Sequence, residues 1–282
     1  MAGETDIART SSRQAKRWFY AILVVGAILE LIPLYYMVIT SFKPKAEVMA
    51  FPPKFYAVHP TLLNYTELFS MISFGRYFMN SLVVACFVTI GQLFFCSLAA
   101  YAFAKRKFPG RDFIFGAFLA SLMVPSQVTL VPGFILYKYL GWIDSLKALT
   151  IPGLWGVFGT FMMRQFMLTI PDDLLDAARI DGCGEFGIFM RVVMPLSGPG
   201  LATLGIMTFM GSWNSFTWPL IVIQSNERRT LPLVLAVLNG QYGWYFGRLM
   251  AASVIATAPL VVIFLLFQKQ VIKGIALTGI KG

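Results

Sequence analysis

Side chains that usually perform catalysis or hold metals are scarce in this chain, with 1 His, 3 Cys and 13 acidic residues among 282. The histidine, His59, sits beside Pro60 and reads as a surface or turn residue. A lone histidine does not make a zinc site, and neither an HExxH pattern nor a nucleophile elbow accompanies it. Cys86 and Cys96 fall in one apolar stretch on different faces, and Cys183 falls in a polar one, a spacing that gives no disulfide framework and no metal motif. There is no Gly-Lys-Ser/Thr, hence no loop to cradle phosphates, and this chain does not hydrolyse ATP by that route. What remains are acids in two settings. Glu30 lies deep in an apolar run, between Leu29 and Leu31. Asp172, Asp173, Asp176, Asp181 and Glu185 crowd into one short segment and hold a large share of the chain's 13 acids.

The elements that position these residues follow from composition. The chain is 57% hydrophobic and only 13% charged, where a soluble domain carries roughly a quarter charged residues. A membrane is the natural solvent for it. A helix needs about 20 apolar residues to cross the hydrocarbon core, and six stretches qualify, near Trp18–Thr40, Phe78–Ala104, Phe113–Phe134, Thr150–Phe166, Gly200–Ile223 and Met250–Phe267. They are too long, and alternate too little, to be barrel strands. The first is longer than the apolar core of a signal peptide and no small-residue cleavage site follows it, so it reads as a retained helix. The expectation is an all-α integral membrane protein of six transmembrane helices. Lys and Arg are more frequent on the segments that are inside if the amino terminus is cytoplasmic, with Lys105, Arg106, Lys107 and Arg111 in one short loop, and this bias puts both termini inside. The net charge of +10 then reports membrane topology. No basic stripe with interleaved aromatics points to nucleic acid.

Glu30 has no partner charge nearby in sequence. It fits either a protonated or interface-buried glutamate or the coupling acid of an ion-driven carrier, since such carriers place acids inside the membrane.

The acidic segment has a definite local structure. Asp172 and Asp173 follow Pro171, so negative charge meets the positive end of a helix dipole. Ala177 and Ala178 let another surface approach closely. Gly182 stands where a left-handed cap would end the first helix. A second helix is expected from about Gly184, with Phe186, Phe189 and Val193 at helical spacing and Pro195 closing it. Two short helices with an acidic flank suit a groove on a partner protein.

Asp176-Ala177-Ala178, three residues, Gly182, nine residues, Val192, one residue, Met194-Pro195 resembles the EAA loop of ABC importer permeases, which forms the coupling helix that docks into a cleft on the cytoplasmic ATPase subunit. Asp176 replaces the family's glutamate, shortening its reach by one methylene, Val192 replaces an isoleucine and Met194 a leucine. The resemblance runs over most of the chain: Ser41-Phe42-Lys43-Pro44, Asn64-Tyr65, Asn80-Ser81, Ala99 to Ala104, Phe108-Pro109-Gly110-Arg111, Ala178 to Gly182, Trp213-Asn214 and the ending from Gly274 to Gly282 are similar to the maltose-type second permease of carbohydrate ABC importers. It implies a bacterial cytoplasmic-membrane subunit that is not itself an enzyme. Its implied partners are a second, different permease, two ATPase subunits that bind the ATP and Mg, and an extracytoplasmic binding protein that delivers a disaccharide, oligosaccharide, amino sugar or glycerol phosphate ester. No cofactor is implied in this chain. The coupling residues the resemblance implies are Asp173, Asp176, Ala177, Ala178, Arg179, Asp181, Gly182, Phe186 and Pro195.

Polar residues inside apolar stretches are candidates for a solute path. Gln127 lies between Pro125 and Pro132, and Trp213, Asn214 and Phe216 precede Pro219. Each fits either a pore lining or a helix break satisfied by neighbouring helices. Asn80 and Ser81 read as caps at a helix start. The organisation expected is an N-terminal part over 1–76, a transmembrane domain over 77–270 holding a coupling loop at 171–195, and a C-terminal tail over 271–282.

Overall fold

A computed structural model describes the backbone of residues 2–241 and 246–279 and the side chains of 16–238 and 246–268. Residues 280–282, and the side chains of Arg9, Arg13, Lys269, Lys273 and Gly274 onward, lie outside that description. All regular structure among the described residues is helical. In chain order the main helices are α1 (Ala2–Ser41), α2 (Leu63–Met71), α3 (Phe74–Lys105), α4 (Arg111–Ser121), α5 (Leu130–Tyr139), α6 (Val157–Leu168), α7 (Asp172–Ile180), α8 (Glu185–Leu196), α9 (Gly198–Trp213), α10 (Thr217–Val222), α11 (Leu231–Gln241) and α12 (Phe246–Gly279).

Three of the six apolar stretches are unbroken helices long enough to cross a membrane: Lys16–Ser41 of α1, all of α3, and Phe246–Gln268 of α12. The other three are interrupted. The stretch from Phe113 to Phe134 divides into α4 and α5 around 122–129, where Pro125 lacks an amide donor and tight turn bonds such as Val128 N to Pro125 O replace the α-ladder. The stretch from Thr150 to Phe166 breaks at Trp155 and Gly156, whose backbones are extended. The stretch from Gly200 to Ile223 breaks at 214–216, between α9 and α10. Hydropathy sees all six alike because it sums transfer energies and ignores missing backbone bonds.

The residues form two compact units, one of 1–72 with 238–255 and one of 73–237 with 256–282. In the first, the side chains of 16–35 on α1 are exposed throughout. The end of α1 is pinned by Asn64, whose amide donates to the carbonyls of Ser41 and Lys43 at 2.8 Å each. Tyr65 adds a hydroxyl contact to Ser41 at 2.8 Å. The Ser-Phe-Lys-Pro and Asn-Tyr motifs are thus one structural joint. Lys43 is buried, its ammonium bonded to the Lys54 carbonyl and set over the Tyr36 ring. Arg248 Nε meets Glu67 at 2.6 Å in the same unit.

The second unit is organised around α3. Asn80 and Ser81 do not cap its start, because the helix begins at Phe74. Asn80 instead donates to the carbonyls of Glu227 and Arg229 at 2.9 and 3.0 Å, and the Ser81 hydroxyl accepts the Leu231 amide at 2.7 Å. A core of Cys96, Ala100, Tyr101, Met163, Met167 and Leu204 joins α3, α6 and α9, and Leu175, Ile188, Phe189 and Val193 extend it into α7 and α8. Close approach sets the middle of this packing: a Cβ on Gly91 would overlap the Leu154 side chain and lie 3.2 Å from its Cα.

Replacing Gly91 by valine is therefore expected to cost about 1–3 kcal/mol through overpacking, read as a lower melting temperature in detergent. Gly116→Ala, where an added Cβ meets nothing within 4 Å, should leave the melting temperature in place. Equal effects of the two changes would contradict this packing.

Candidate functional site

Two features of the second unit stand out, a cavity and a charged turn. The cavity, of about 580 Å³, is lined along α3 by Ser81, Val84, Val88 and Gln92. All three helix breaks reach it, through Ser121 and Leu122, through Gly153 and Gly156, and through Ser215, Trp218 and Pro219. Non-helical backbone at membrane depth is tolerated where it is buried in protein or lines a cavity, and here the side chains show how. Gln92 donates Nε2–H to the Gly153 carbonyl at 3.0 Å and accepts the Thr208 hydroxyl at 3.1 Å. Cys96 Sγ lies 3.3 Å from the Gly156 amide nitrogen. The Trp218 indole donates to the Ala148 carbonyl at 3.0 Å. The lining is uncharged among the described residues: aliphatic and aromatic surface with the hydroxyls of Ser81, Ser121, Thr208, Ser212, Ser215 and Thr230 and the Gln92 amide. Thr230 is 4% exposed and its hydroxyl has no hydrogen-bond partner among the described residues. A buried polar atom left in that state gains from a ligand or water hydroxyl.

The four path candidates read from sequence are not part of this lining. Gln127 is exposed in the 122–129 segment. Trp213 is buried, stacked on Phe209 and edge-on to Phe78, with its indole donating to the Ala256 carbonyl at 3.0 Å. Asn214 is exposed and turns its amide back to the Met210 carbonyl at 3.0 Å, and Phe216 is 39% exposed.

The charged turn is the segment 171–195. Helix α7 ends at Ile180, and Gly182 just beyond it, with a φ of +83°, is the left-handed cap. Leu175 faces the core while Leu174, Ile180 and Phe186 stand exposed, Ile180 at 86% and Phe186 at 61%. Asp173, Asp176, Ala177 and Asp181 share the exposed side, and Ala178 and Arg179 are half-buried. The second helix ends at Leu196, one residue past Pro195. Residues Phe189–Val193 form a π turn, Pro195 falls in the first turn after it, where a missing donor is tolerated, and the chain bends by 81° from α8 into α9 after Leu196.

Charge ties this turn to the end of α3. Lys105 Nζ, nearly buried, donates to the Ile170 carbonyl at 2.5 Å and to Asp172 at 2.7 Å. Glu185, on the loop side of the bend, accepts the Tyr101 hydroxyl on Oε2 at 2.6 Å and Arg179 Nε on Oε1 at 3.0 Å, with Arg106 paired to the same oxygen. Arg179 also reaches Asp176 at 2.5 Å. The Tyr101 hydroxyl first, then Arg179 and Arg106, hold the Glu185 carboxyl far below the usual range, at about 2. The Lys105 ammonium likewise lowers Asp172. The acids of the loop and the bases at 105–111 lie far apart in sequence, and their opposite charge is the one signal there that they meet.

Residues 92–276 match the family described as binding-protein-dependent transport system inner membrane component. The chain belongs to this family. The permease is 40% identical over 260 residues to an arabinooligosaccharides transport system permease protein of Bacillus subtilis, covering 91% of this chain and 92% of that one. It is 31% identical over 271 residues to an sn-glycerol-3-phosphate transport system permease protein of Yersinia pestis, covering 91% and 94%. Its fold matches a chain of a bacterial ABC transporter involved in the import of the acidic polysaccharide alginate, with a TM-score of 0.83, 22% identity, and coverage of 92% and 97%. The family assignment leaves no support for an ion-coupled carrier. Glu30 lies on the exposed face of α1, with exposed Leu29 and Leu31 beside it.

Because the folded value of Glu185 lies below the unfolded value of about 4.3, its bonds stabilise the turn fully above that pH and are lost as pH falls towards the folded value. Hydrogen-exchange protection of 171–195, referenced to intrinsic rates, should hold from neutral pH down to about 5 and decline below about 4. Glu185→Gln should remove that decline. The same decline in the variant would assign the effect to other groups.

Proposed function

We propose that this permease is the membrane-crossing subunit of an ATP-driven importer for a neutral carbohydrate. The cavity carries this reading. Its size is in the range of about 300–1,000 Å³ usual for small-molecule sites, and its lining offers hydroxyls, one amide and the Trp218 ring without a charged group. Neutral sugar hydroxyls suit such a surface. The dianionic head of a glycerol phosphate ester, which one group of relatives names, would enter it unpaired at a cost of several kcal/mol. The unpartnered Thr230 hydroxyl is a place for a solute hydroxyl to bond. Gln92 and Trp218 replace Gln127, Trp213, Asn214 and Phe216 as the side chains favoured for the path.

In this reading the chain crosses the membrane six times with both termini cytoplasmic, the paired short helices at each break completing a crossing. Residues 1–76 hold the first crossing and an outer segment, 77–270 the transport domain, and 271–282 a cytoplasmic tail. The exposed Leu174, Ile180 and Phe186, with Asp173, Asp176 and Asp181 around them, form the face that enters a cleft on one of the two ATPases. Two ATPases bind the ATP and Mg, a second permease completes the pore, and a binding protein brings the solute. Closure of the ATPase pair on ATP draws the coupling turns together and opens the cavity outward, and hydrolysis resets it.

Tagged in its native cells and purified in mild detergent, the chain should bring with it an ATPase with a phosphate-binding loop and a second permease. Uptake of an arabinooligosaccharide should resist competition by glycerol 3-phosphate, and preferential uptake of the phosphate ester would overturn the neutral-solute reading. Gly182→Val, which forces a β-branched residue to a positive φ at about 1–3 kcal/mol, should abolish most uptake, and Glu30→Gln should retain it. The reverse pattern would restore the ion-coupled carrier.

A further inference from the structure

The turn at 171–195 is tied to the cavity by more than apolar packing. Helix α3 is a single α-helix of 32 residues. Gln92 on it lines the cavity, and Tyr101 lies further along the same rod, about 13 Å away by helical rise. The Tyr101 ring is 4% exposed and set against Phe189 at 5.6 Å between centroids, which leaves its hydroxyl one direction to point. That direction is occupied by Glu185 Oε2 at 2.6 Å. The other carboxylate oxygen holds Arg179 of α7 at 3.0 Å together with Arg106 just past the end of α3. Both oxygens are engaged, one towards the helix that lines the cavity and one towards the helix whose far face is exposed.

Apolar contacts such as Leu175 in the core keep α7 near α3 but resist sliding weakly, because dispersion is non-directional. Charge-assisted hydrogen bonds are short and directional, so they transmit a push along their axis. The side chain of Glu185 is 41% exposed, and the buried Ile188, Phe189 and Val193 that hold α8 to the core do not depend on it.

We propose that Glu185 is the positioning residue that couples α7 to α3, so that displacement of the turn by an ATPase reaches the cavity wall through Arg179, Glu185 and Tyr101. This rests on the reading of 171–195 as the coupling loop. Its consequence is a separation of two functions: loss of the tie should leave assembly and ATP turnover standing while the cavity stops responding.

The test uses the transporter purified with its partner subunits, with Val84→Cys as a reporter in the cavity wall and Cys86 and Cys183 replaced by serine. The readout is the rate at which a water-soluble maleimide modifies residue 84, with and without trapping by ATP and vanadate, beside phosphate release on the same sample. In the parent, trapping should change the modification rate several-fold. Glu185→Gln and Tyr101→Phe should each reduce that change several-fold while phosphate release stays within a factor of about two, a factor equivalent to about 0.4 kcal/mol at 25 °C. The double variant should be no worse than the stronger single one, since both cut one chain of bonds. Glu185→Asp, which keeps the charge, should fall between Glu185→Gln and the parent. A full response in Glu185→Gln and Tyr101→Phe, with the response lost in Gly182→Val, would overturn the tie and leave the coupling loop intact. A lower yield with an unchanged response would make Glu185 purely structural and overturn the proposal. A full response in Gly182→Val as well, or purification without any ATPase, would overturn the coupling-loop reading and the tie with it.

Discussion

In hydrocarbon a backbone amide or carbonyl has no water to fall back on, and a lost hydrogen bond there costs several kcal/mol. That constraint shapes the second unit. Three of its apolar stretches contain prolines or glycines that interrupt the helical ladder, and all three interruptions reach a single cavity. There the orphaned groups find side-chain partners: Gln92 for the Gly153 carbonyl, Cys96 for the Gly156 amide, Thr208 closing the chain on Gln92. The polar groups that a transport path requires are thus the same groups that make broken helices tolerable. A path built of unbroken helices would have to import its polarity through side chains alone.

The charged turn at 171–195 obeys a different balance. Its aspartates stand exposed, where water makes them cost little, and the exposed Leu174, Ile180 and Phe186 are the anomaly. Their exposure is affordable only beside a buried counter-face, which Leu175, Ile188 and Phe189 supply. The turn is held from behind by the core and from the side by charge, leaving its front exposed.

Much of this was legible in the sequence, and the limits have physical causes. Helices α1, α3 and α12 follow from uninterrupted apolar runs. Gly182 as a left-handed cap follows from the acid-rich helix before it, because few other residues accept a positive φ. The breaks at 122–129 and 155–156 were written in Pro125, Pro152, Gly153 and Gly156, yet a window that averages hydropathy passes over them. Trp213 drew attention through its neighbours Asn214 and Pro219, but an indole with one donor is satisfied as well by a carbonyl on another helix as by a solute, and Ala256 is that carbonyl. The cavity brings together residues from Ser81 to Thr230, and no local spacing encodes such a set. Asn80 shows the same limit: its position resembled a cap, while its partners lie at Glu227 and Arg229.

The π turn at Phe189–Val193 bears on how this loop tolerates change in length. A π turn carries a residue more than an α-helix closes with, and that surplus is stored at one place. Losing a single codon within those five positions could be absorbed by relaxation to an α-turn, with Glu185 and the exposed face upstream keeping their bearing. Losing one inside α7 would swing every later side chain of that helix by about 100° and put Ile180 in the half-buried place of Arg179. A change in length would therefore be taken up at a segment anchored by the buried Phe189 and Val193, and the exposed side of α7 would be spared it.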